Sequence, residues 1–407
     1  MPNKLFDQYA NFKETSLVKR RFKHHDIQTI IEHLPFEREV AGASFEDREI
    51  YKVKIGSGKT NVLLWSQMHG DEATATMAIF DIFRFFQAEN DGFDELRKTI
   101  TNNLTLHFVP MLNPDGAERF QRRTSTGIDM NRDALALQTP EGRLLKALVH
   151  QLNPEFSFNL HDKGTRYSAG ASGKQATVSF LATAYNQAKD WNETRTKAMQ
   201  VICRMAEVLQ PIIPGHLGRW NDDFEPRAFG DNVQKWGSSL ILIESGGYKD
   251  DREKQFIRQL NFVAMLTALE SIAKRDFTNE KLETYEAIPN NDKYIFDLLI
   301  RNATFTENGK KLTKDIGINL DERNNKAATG FTLQSEIDDL GDLSIFYGLK
   351  EIDASGMTAH TFDQFPDLMK KYGARATKID LGNSANVILI HKSKVKHVIV
   401  NGQVVVT

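Results

Sequence analysis

The chain has 407 residues, of which 40% are hydrophobic and 26% charged, and its formal net charge is −2 at pH 7. This length favours two domains, and the composition is typical of globular proteins. The near-neutral charge gives nucleic acid and anionic membranes no electrostatic attraction, so neither is an expected partner. No stretch approaches the ~20 apolar residues of a membrane span. The N-terminus lacks the apolar core of a signal peptide, and Cys203 is the only cysteine, which together predict a cytoplasmic protein.

Strand and helix patterns alternate along the first two thirds of the chain. The expected strands are 48–55, 62–65, 104–109, 156–160, 177–182 and 239–243. The expected helices are 73–88, 140–152, 191–209 and 251–274, preceded by a short helical pattern that Pro35 stops. Such alternation predicts an α/β fold with a mostly parallel mixed sheet flanked by helices.

The last third of the chain has a different sequence pattern. From about residue 290 short alternating segments are separated by turns such as Asn308-Gly309 and Asn401-Gly402. Asn-Gly between alternating apolar runs is a strong hairpin signal. We therefore predict an α/β domain over residues 1–280 and a small β-rich domain over residues 290–407, with one helix near 362–372.

The stretch Gln67-Met68-His69-Gly70-Asp71-Glu72 lies between an apolar strand and an amphipathic helix. We expect His69 and Glu72 to share one helical face at the helix start, where an imidazole and a carboxylate can bind one metal ion. Mixed nitrogen and oxygen ligation suits zinc. His161 and Glu244 each follow the end of a further apolar strand. In open α/β sheets ligands bind at the carboxyl ends of the strands. His161 is therefore the candidate third ligand.

A catalytic zinc site needs three protein ligands and an open position. Zinc lowers the pKa of bound water and polarises a carbonyl, while a nearby carboxylate takes the proton and passes it to the leaving amine. Glu244 is the candidate for that carboxylate, because a charged residue that ends a very apolar strand is costly unless it is functional or paired.

An arginine-rich stretch lies between the candidate ligands. Arginine is suited to bidentate binding of a carboxylate. Asn131 and Arg132 are therefore candidates to bind a carboxylate of the substrate. An arginine upstream of them is suited to stabilising the oxyanion of a tetrahedral intermediate.

Five segments occur in the order and approximate spacing of the zinc carboxypeptidase family, the carboxypeptidase A-like metallopeptidases. The chain resembles this family over roughly residues 40–275, and most closely its bacterial and cytosolic branch. The segments are His69-Gly-Asp-Glu72, Asn113-Pro-Asp-Gly116, Gly127-Ile-Asp-Met-Asn131-Arg132, Leu160-His161 and Ile243-Glu244.

The resemblance implies one zinc ion and a role for each matching residue. It implies that His69, Glu72 and His161 are the metal ligands and that Glu244 is the general base and acid. It implies a clamp for the substrate carboxylate at Asn131 and Arg132. Arg123 corresponds to the carbonyl-polarising arginine, with Arg122 as the alternative, because the motifs do not fix the loop length.

The chain departs from the family pattern where pancreatic-type enzymes carry a substrate-contacting tyrosine. No tyrosine lies between Tyr185 and Tyr248, so substrate closure must differ. Arg227, in the stretch 220–231, is a candidate for a second anion contact. Asp162 follows the third ligand, where larger family members often have serine.

These observations predict a hydrolase, a zinc metallocarboxypeptidase that cleaves an amide bond next to a free carboxylate, with zinc-activated water and Glu244 as general base. Its partner would be a peptide or small amide that carries this carboxylate. Two alternatives stay open. One is an N-acyl amino acid deacylase resembling succinylglutamate desuccinylase or aspartoacylase, and the other is a non-catalytic binding module. The sequence fixes neither the preferred side chain nor the oligomeric state, and it leaves peptide, cell-wall peptide and N-acyl amino acid substrates open.

The tail has a second resemblance, to the composite β-sandwich of amidohydrolases. It rests on segments such as 297–304, 352–356 and 395–404, while the barrel and His-x-His motif of those enzymes are missing. The resemblance implies an accessory domain, which we expect to shape substrate access or to form a contact in a homo-oligomer.

Overall fold

The structure is a computed structural model that describes residues 2–375 and 378–406. Two compact units make up the chain. The first comprises Met1–Gly170 and Lys174–Asp292, and the second comprises Ala171–Gly173 and Lys293–Thr407. Among the described residues, no helix combines the length and the apolar character needed to cross a membrane.

The helices of the first unit surround a mixed sheet, and one further helix belongs to the second unit. The helices are α1 Pro2–Asp7, α2 His24–Glu32, α3 Thr74–Gln87, α4 Asp94–Asn103, α5 Pro114–Arg119, α6 Pro140–Leu152, α7 Glu193–Leu209, α8 Phe229–Lys235, α9 Gln255–Lys274, α10 Leu282–Glu286 and α11 Pro366–Tyr372.

The strands of the first unit form an eight-stranded sheet in the order β1-β2-β4-β3-β5-β9-β7-β8, with β6 and β10 as a separate short pair. This mixed α/β architecture confirms the predicted fold class. The strands are β1 Glu37–Ala43, β2 Glu49–Ile55, β3 Thr60–Ser66, β4 Leu104–Val109, β5 Phe156–Asp162, β6 Ser168–Ala169, β7 Val178–Ala182, β8 Leu217–Arg219, β9 Ser239–Ser245 and β10 Asn291–Asp292.

The parallel centre of this sheet, β3, β5 and β9, positions the candidate site. β9 is buried along its whole length, as expected for a strand covered by helices on both faces. The register pairs Ser66 with Leu160 and His161 with Glu244. His161 and Glu244 therefore lie side by side inside strands, and not just past strand ends as the sequence suggested.

Several local predictions were wrong. His69 and Glu72 lie in the loop before α3, joined by a hydrogen bond from Glu72 N to His69 O of 3.1 Å, and not in the first helical turn. In the Asn113-Pro114-Asp115-Gly116 segment, Asn113 caps a short helix, α5. β1, α4 and α8 were not predicted.

The second unit is β-rich, as predicted. Its strands are β11 Ile295–Glu307, β12 Lys310–Asn324, β13 Phe331–Gly341, β14 Tyr347–Asp353, β15 Thr358–His360, β16 Val387–His391, β17 Lys394–Val400 and β18 Gln403–Val406. The sheet branches at β11, which pairs in parallel with both β14 and β15. Asn401 and Gly402 have positive φ angles of 47° and 70° in the turn between β17 and β18, which confirms the predicted hairpin.

A buried ion pair fixes the N-terminal segment of the first unit to α3 and α9. The side chains of Arg258 and Asp81 are fully buried. Arg258 Nε donates to Asp81 Oδ2 at 2.7 Å, and Tyr9 OH donates to the same oxygen at 2.9 Å. Glu14 N donates to Asp81 Oδ1 at 2.7 Å. One carboxylate therefore joins three separate parts of the chain.

We expect Asp81→Asn to lower the free energy of unfolding by about 3–5 kcal/mol, because it leaves the Arg258 guanidinium buried without its anion. Urea denaturation of the full chain measures this change. Glu95→Gln, which removes one partner of an exposed pair with Lys98, is the matched control and should change stability little. Equal losses in the two variants would contradict the assignment.

Candidate metal centre and active site

The loop that carries His69 is held by the segment that follows β4. Gln67 has a φ angle of +46°, a left-handed conformation uncommon for a residue other than glycine. Asn113 N donates to Gln67 O at 2.9 Å, and Asn113 Nδ2 donates to Met68 O at 3.2 Å. A Cβ atom on Gly70 would lie 2.0 Å from the carbonyl carbon of Gly116. Only glycine fits there, so the Asn113–Gly116 segment acts as the support of the loop.

The structure brings the three predicted metal ligands together. His69, Glu72 and His161 are buried, and one donor atom from each lies within 4.8 Å of the others. The Nδ1 atom of His69 is 2.8 Å from Glu72 Oε1, and the Nδ1 atom of His161 is 2.6 Å from Glu72 Oε2. Two imidazoles from different elements therefore converge on one carboxylate.

Opposite charges set the pKa values in this cluster. Burial lowers the pKa of His69, but the charge of Glu72 and the contact with Asp129 outweigh it and raise that pKa to about 9. Burial raises the pKa of Glu72, but the two histidines outweigh it and hold that pKa well below its ordinary value. The carboxylate is therefore kept as an anion between two imidazoles.

Asp129 contacts the predicted ligand His69 and was not singled out from the sequence, although it lies in the quoted Gly127–Arg132 segment. Its Oδ1 atom is 3.2 Å from His69 Nε2 and accepts a hydrogen bond from Asn131 N at 3.0 Å. Metal-binding histidines commonly give their second nitrogen to a carboxylate, which fixes the ring orientation and the tautomer. The His69 ring is thus oriented with Nδ1 toward the shared centre.

The donor set fits one zinc ion. Two imidazole nitrogens and a carboxylate oxygen are the ligands of a three-residue catalytic zinc site, which leaves a further position open. The Asp129 contact with His69 supplies the outer support that such sites use.

Arg122 and Arg123 have different surroundings. Arg122 Nη1 donates to Glu72 Oε1 at 3.2 Å, and Arg122 Nε donates to Asp129 Oδ2 at 3.1 Å. Arg123 Nη1 instead donates to the backbone oxygen of Gly127 at 3.1 Å. Arg122 therefore contacts the His69–Glu72–His161 cluster, whereas the sequence favoured Arg123 as the carbonyl-polarising arginine.

Glu244 lies beside the cluster on β9 and is 7% exposed. The sheet register places it between His161 on β5 and Ser179 on β7. Its Oε2 atom is buried and has no hydrogen-bond partner among the described residues. Burial, followed by the charge of Glu72, raises the pKa of Glu244 to about 8. A carboxylate with this pKa is suited to accepting and returning a proton near neutral pH.

The predicted carboxylate clamp already contains a carboxylate from the chain itself, Glu225. Arg132 Nε lies 3.3 Å from Glu225 Oε2, and Arg227 contacts Glu225 through Nε and Nη2 at 2.9 Å each. Asn131 Oδ1 accepts a hydrogen bond from Phe229 N at 2.9 Å. Arg132 and Arg227 thus converge on one anion. No sequence pattern pointed to Glu225.

Lys163 is a third residue that the sequence did not single out. It follows β5, is 8% exposed, and donates a hydrogen bond to Ser179 Oγ. Burial lowers its pKa well below the ordinary value, against the opposing effect of Glu244. Only the pairing of strands brings this amine next to Glu244.

The chain is similar to known carboxypeptidases in sequence. Residues 35–142 match the family model described as Peptidase_M14, zinc carboxypeptidase. The resemblance to the zinc carboxypeptidase family is confirmed. Carboxypeptidase 2 of Trichophyton tonsurans is 27% identical over 141 residues, which are 34% of this chain and 25% of that protein. Human carboxypeptidase D is 27% identical over 108 residues, which are 23% of this chain and 8% of that protein.

The similarity extends to the fold of a solved structure. Bovine thrombin-activatable fibrinolysis inhibitor, solved with tick carboxypeptidase inhibitor, superposes with a TM-score of 0.50 at 12% identity. That superposition covers 64% of this chain and 98% of the bovine chain. The sequence matches, in contrast, span about a quarter of the length of the first curated relative.

We expect Asp129→Asn to weaken zinc binding by about 10- to 100-fold, because the His69 ring loses the carboxylate that orients it. Competition with a chelator of known affinity measures this change without any assay of activity. Asp223→Asn removes a carboxylate from a 73% exposed side chain and is the matched control. Unchanged zinc affinity in Asp129→Asn would contradict the assigned role.

Proposed function

We propose that the first unit is a zinc metallocarboxypeptidase that hydrolyses the amide bond before a residue with a free carboxylate. The observation that carries this proposal is the convergence of His69, Glu72 and His161 next to Glu244 on the neighbouring strand. The family match over residues 35–142 supports it, since this segment contains two of the three proposed ligands.

His69, Glu72 and His161 would hold the zinc ion. When bound, zinc supplies a Lewis acid that lowers the pKa of water and polarises the amide carbonyl. Glu244 accepts a proton from the attacking water through its buried, unpaired Oε2 atom and then delivers a proton to the leaving amine. Burial raises the pKa of Glu244 above its ordinary value, which favours uptake of the proton from water.

We assign the carbonyl-polarising role to Arg122 in place of Arg123. Arg122 lies against Glu72 and Asp129, so its guanidinium borders the position where negative charge develops on the substrate oxygen. Preorganised donors aimed at such an oxyanion are among the largest contributions to catalysis.

Asn131, Arg132 and Arg227 would bind the free carboxylate of the substrate. The convergence of both guanidinium groups on Glu225 supports this role, because they already bind a carboxylate of the chain. Arginine is suited to such planar, bidentate recognition.

Removal of zinc with a chelator should abolish hydrolysis. Glu244→Gln should retain zinc yet lose turnover, because the side-chain amide of glutamine cannot accept the proton of the attacking water. Metal content measured by mass spectrometry and hydrolysis of a peptide with a free C-terminus test both expectations. Activity in a verified metal-free sample would disprove the zinc mechanism. Cleavage of N-acyl amino acids, but not peptides, would favour a deacylase, and a protein that binds no zinc would favour a binding module.

We expect Arg122→Met to lower kcat by about 10²–10³-fold, because it removes a donor to the oxyanion. Arg123→Met, which removes a guanidinium bound to the Gly127 carbonyl, is the matched control and should leave kcat nearly unchanged. Steady-state kinetics of the two variants decide between the arginines. A large loss in Arg123→Met alone would reverse the assignment.

The remaining expectations concern the rest of the chain. We propose that the second unit is accessory and non-catalytic; its resemblance to the amidohydrolase β-sandwich stays a prediction. The cytoplasmic location, the lack of nucleic-acid and membrane partners, and a homo-oligomer likewise stay predictions.

A further inference from the structure

Two buried lysines lie near the carboxyl ends of β5 and β9, and they differ in their partners. Lys254 is 3% exposed, forms an ion pair with Asp162 at 3.2 Å, and donates to the Ser245 carbonyl at 2.8 Å. Lys163 is 8% exposed, but its amine bonds only the hydroxyl of Ser179 and contacts no carboxylate among the described residues. The ion pair with Asp162 accounts for the burial of Lys254. Lys163 is attracted by the charge of Glu244 but forms no ion pair with it, although a buried lysine normally has a direct anionic partner.

The surroundings of the Lys163 amine form a built site. The rings of Tyr167 and Trp220 have their centroids 5.9 and 5.6 Å from the amine. Ser179 Oγ donates a hydrogen bond to Asn291 Oδ1 at 2.8 Å, so toward the Lys163 amine this hydroxyl acts as the acceptor. A lysine amine has three donors in its charged form, which leaves it capacity for a further acceptor. Because the Lys163 side chain is buried, an ion pair formed there would be stronger than one at the surface.

The position of the amine places it within reach of the substrate. Ser179 is the cross-strand neighbour of Glu244, and Glu244 is the neighbour of His161. The amine of Lys163 therefore lies on the β7 side of Glu244, opposite the metal ligands. A Cβ atom on Gly246 would lie 2.8 Å from Lys163 Cε, so a glycine after β9 leaves room for the lysine stem.

The carboxylate clamp lies on this same side. Asn131 binds the backbone of Phe229 at the start of α8. The next residue, Gly230, accepts a hydrogen bond at its carbonyl from Thr183 Oγ1, just beyond β7, at 3.1 Å. Arg132 and Lys163 are therefore both on the β7 side of Glu244, where the departing residue would bind.

We propose that Lys163 is a specificity-determining residue that binds an acidic side chain on the departing residue. The inference rests on the proposed carboxypeptidase function. The substrate class is a peptide that ends in glutamate or aspartate, with its terminal carboxylate at Arg132 and its side-chain carboxylate at Lys163. The alternative role for Lys163, a structural donor that braces β7 through Ser179, predicts no preference between charged and neutral termini.

The test uses two peptides that differ only in ending with glutamate or glutamine, which have the same shape. For the zinc-loaded wild-type protein, kcat/KM should be about 10- to 100-fold higher for the glutamate peptide, as expected for a charge-assisted hydrogen bond. In Lys163→Met the ratio should fall to about one, mainly through a higher KM for the glutamate peptide. Lys59→Met, at an exposed position before β3, should keep the wild-type ratio.

Three further measurements test the role of Lys163. Calorimetry of the zinc-loaded wild-type protein should show tighter binding of L-glutamate than of L-glutamine, a comparison that needs neither turnover nor a variant. Ser179→Ala, which retains the amine, should keep the preference. An acidic residue on the acyl side of the bond should give no preference that depends on Lys163, and such a dependence would overturn the assignment to the departing residue.

The two proposals fail in different ways. Hydrolysis of both peptides at equal kcat/KM overturns the role of Lys163 and leaves the carboxypeptidase function standing. A protein that cleaves neither peptide overturns the function, and the calorimetric comparison of glutamate with glutamine then decides on its own whether the amine recognises an anion.

Discussion

The Glu72 carboxylate, bound by two imidazoles, is the interaction around which the first unit is arranged. Its two oxygens are contacted by the Nδ1 atoms of His69 and His161 at 2.8 and 2.6 Å. His69 belongs to the loop after β3, whereas His161 lies in β5. The contact therefore depends on the parallel pairing of these strands, which places their carboxyl ends together, and on a loop that turns sharply enough to return Glu72 toward β5.

That sharp loop explains why an Asn-Pro-Asp-Gly segment more than forty residues away accompanies the ligand pair. Asn113 binds the backbone of Gln67 and Met68, and its side-chain oxygen also caps α5 through Gly116 N at 2.9 Å. Asp115 is fully buried and accepts hydrogen bonds from Ser44 at 2.6 Å and Ser125 at 2.9 Å. Through Ser125 the same segment steadies the loop that carries Arg122. One short helix thus supports both the ligands and the arginine.

The sequence predicted the parts of the site that depend on local pattern. Two apolar strands end near His161 and Glu244, and ligands of open α/β sheets bind at the carboxyl ends of strands. This pattern alone was enough to predict which edge of the sheet carries the candidate site. Arg122 and Arg123 could not be separated, because adjacent residues in a loop differ only in which way the backbone turns. The positive φ of Gly127, 81°, and the bond from Arg123 to its carbonyl belong to that turn.

Asp129, Glu225 and Lys163 were beyond sequence reasoning for another reason. Each is an ordinary charged residue by pattern, and the contact that distinguishes it is with a partner far along the chain. Glu225, for example, meets Arg132 because residues 225–229 lie against the loop before α6, where Ala134 N donates to Arg227 O at 3.1 Å. Tertiary pairing, and not periodicity, determines such contacts.

The charges around Glu244 link these residues. Burial and the charge of Glu72 raise the pKa of Asp71 to about 6, and the same two causes raise that of Glu244 to about 8. Crowded carboxylates of this kind favour a bound cation at the His69–Glu72–His161 cluster. On the opposite side of Glu244, the buried Lys163 amine binds Ser179 Oγ and forms no ion pair with a carboxylate of the described residues. The His69–Glu72–His161 cluster can therefore bind a cation, while the neighbouring Lys163 amine can bind an anion. Glu244 lies between these two groups. In the proposed function, the amide bond of the substrate would lie next to Glu244.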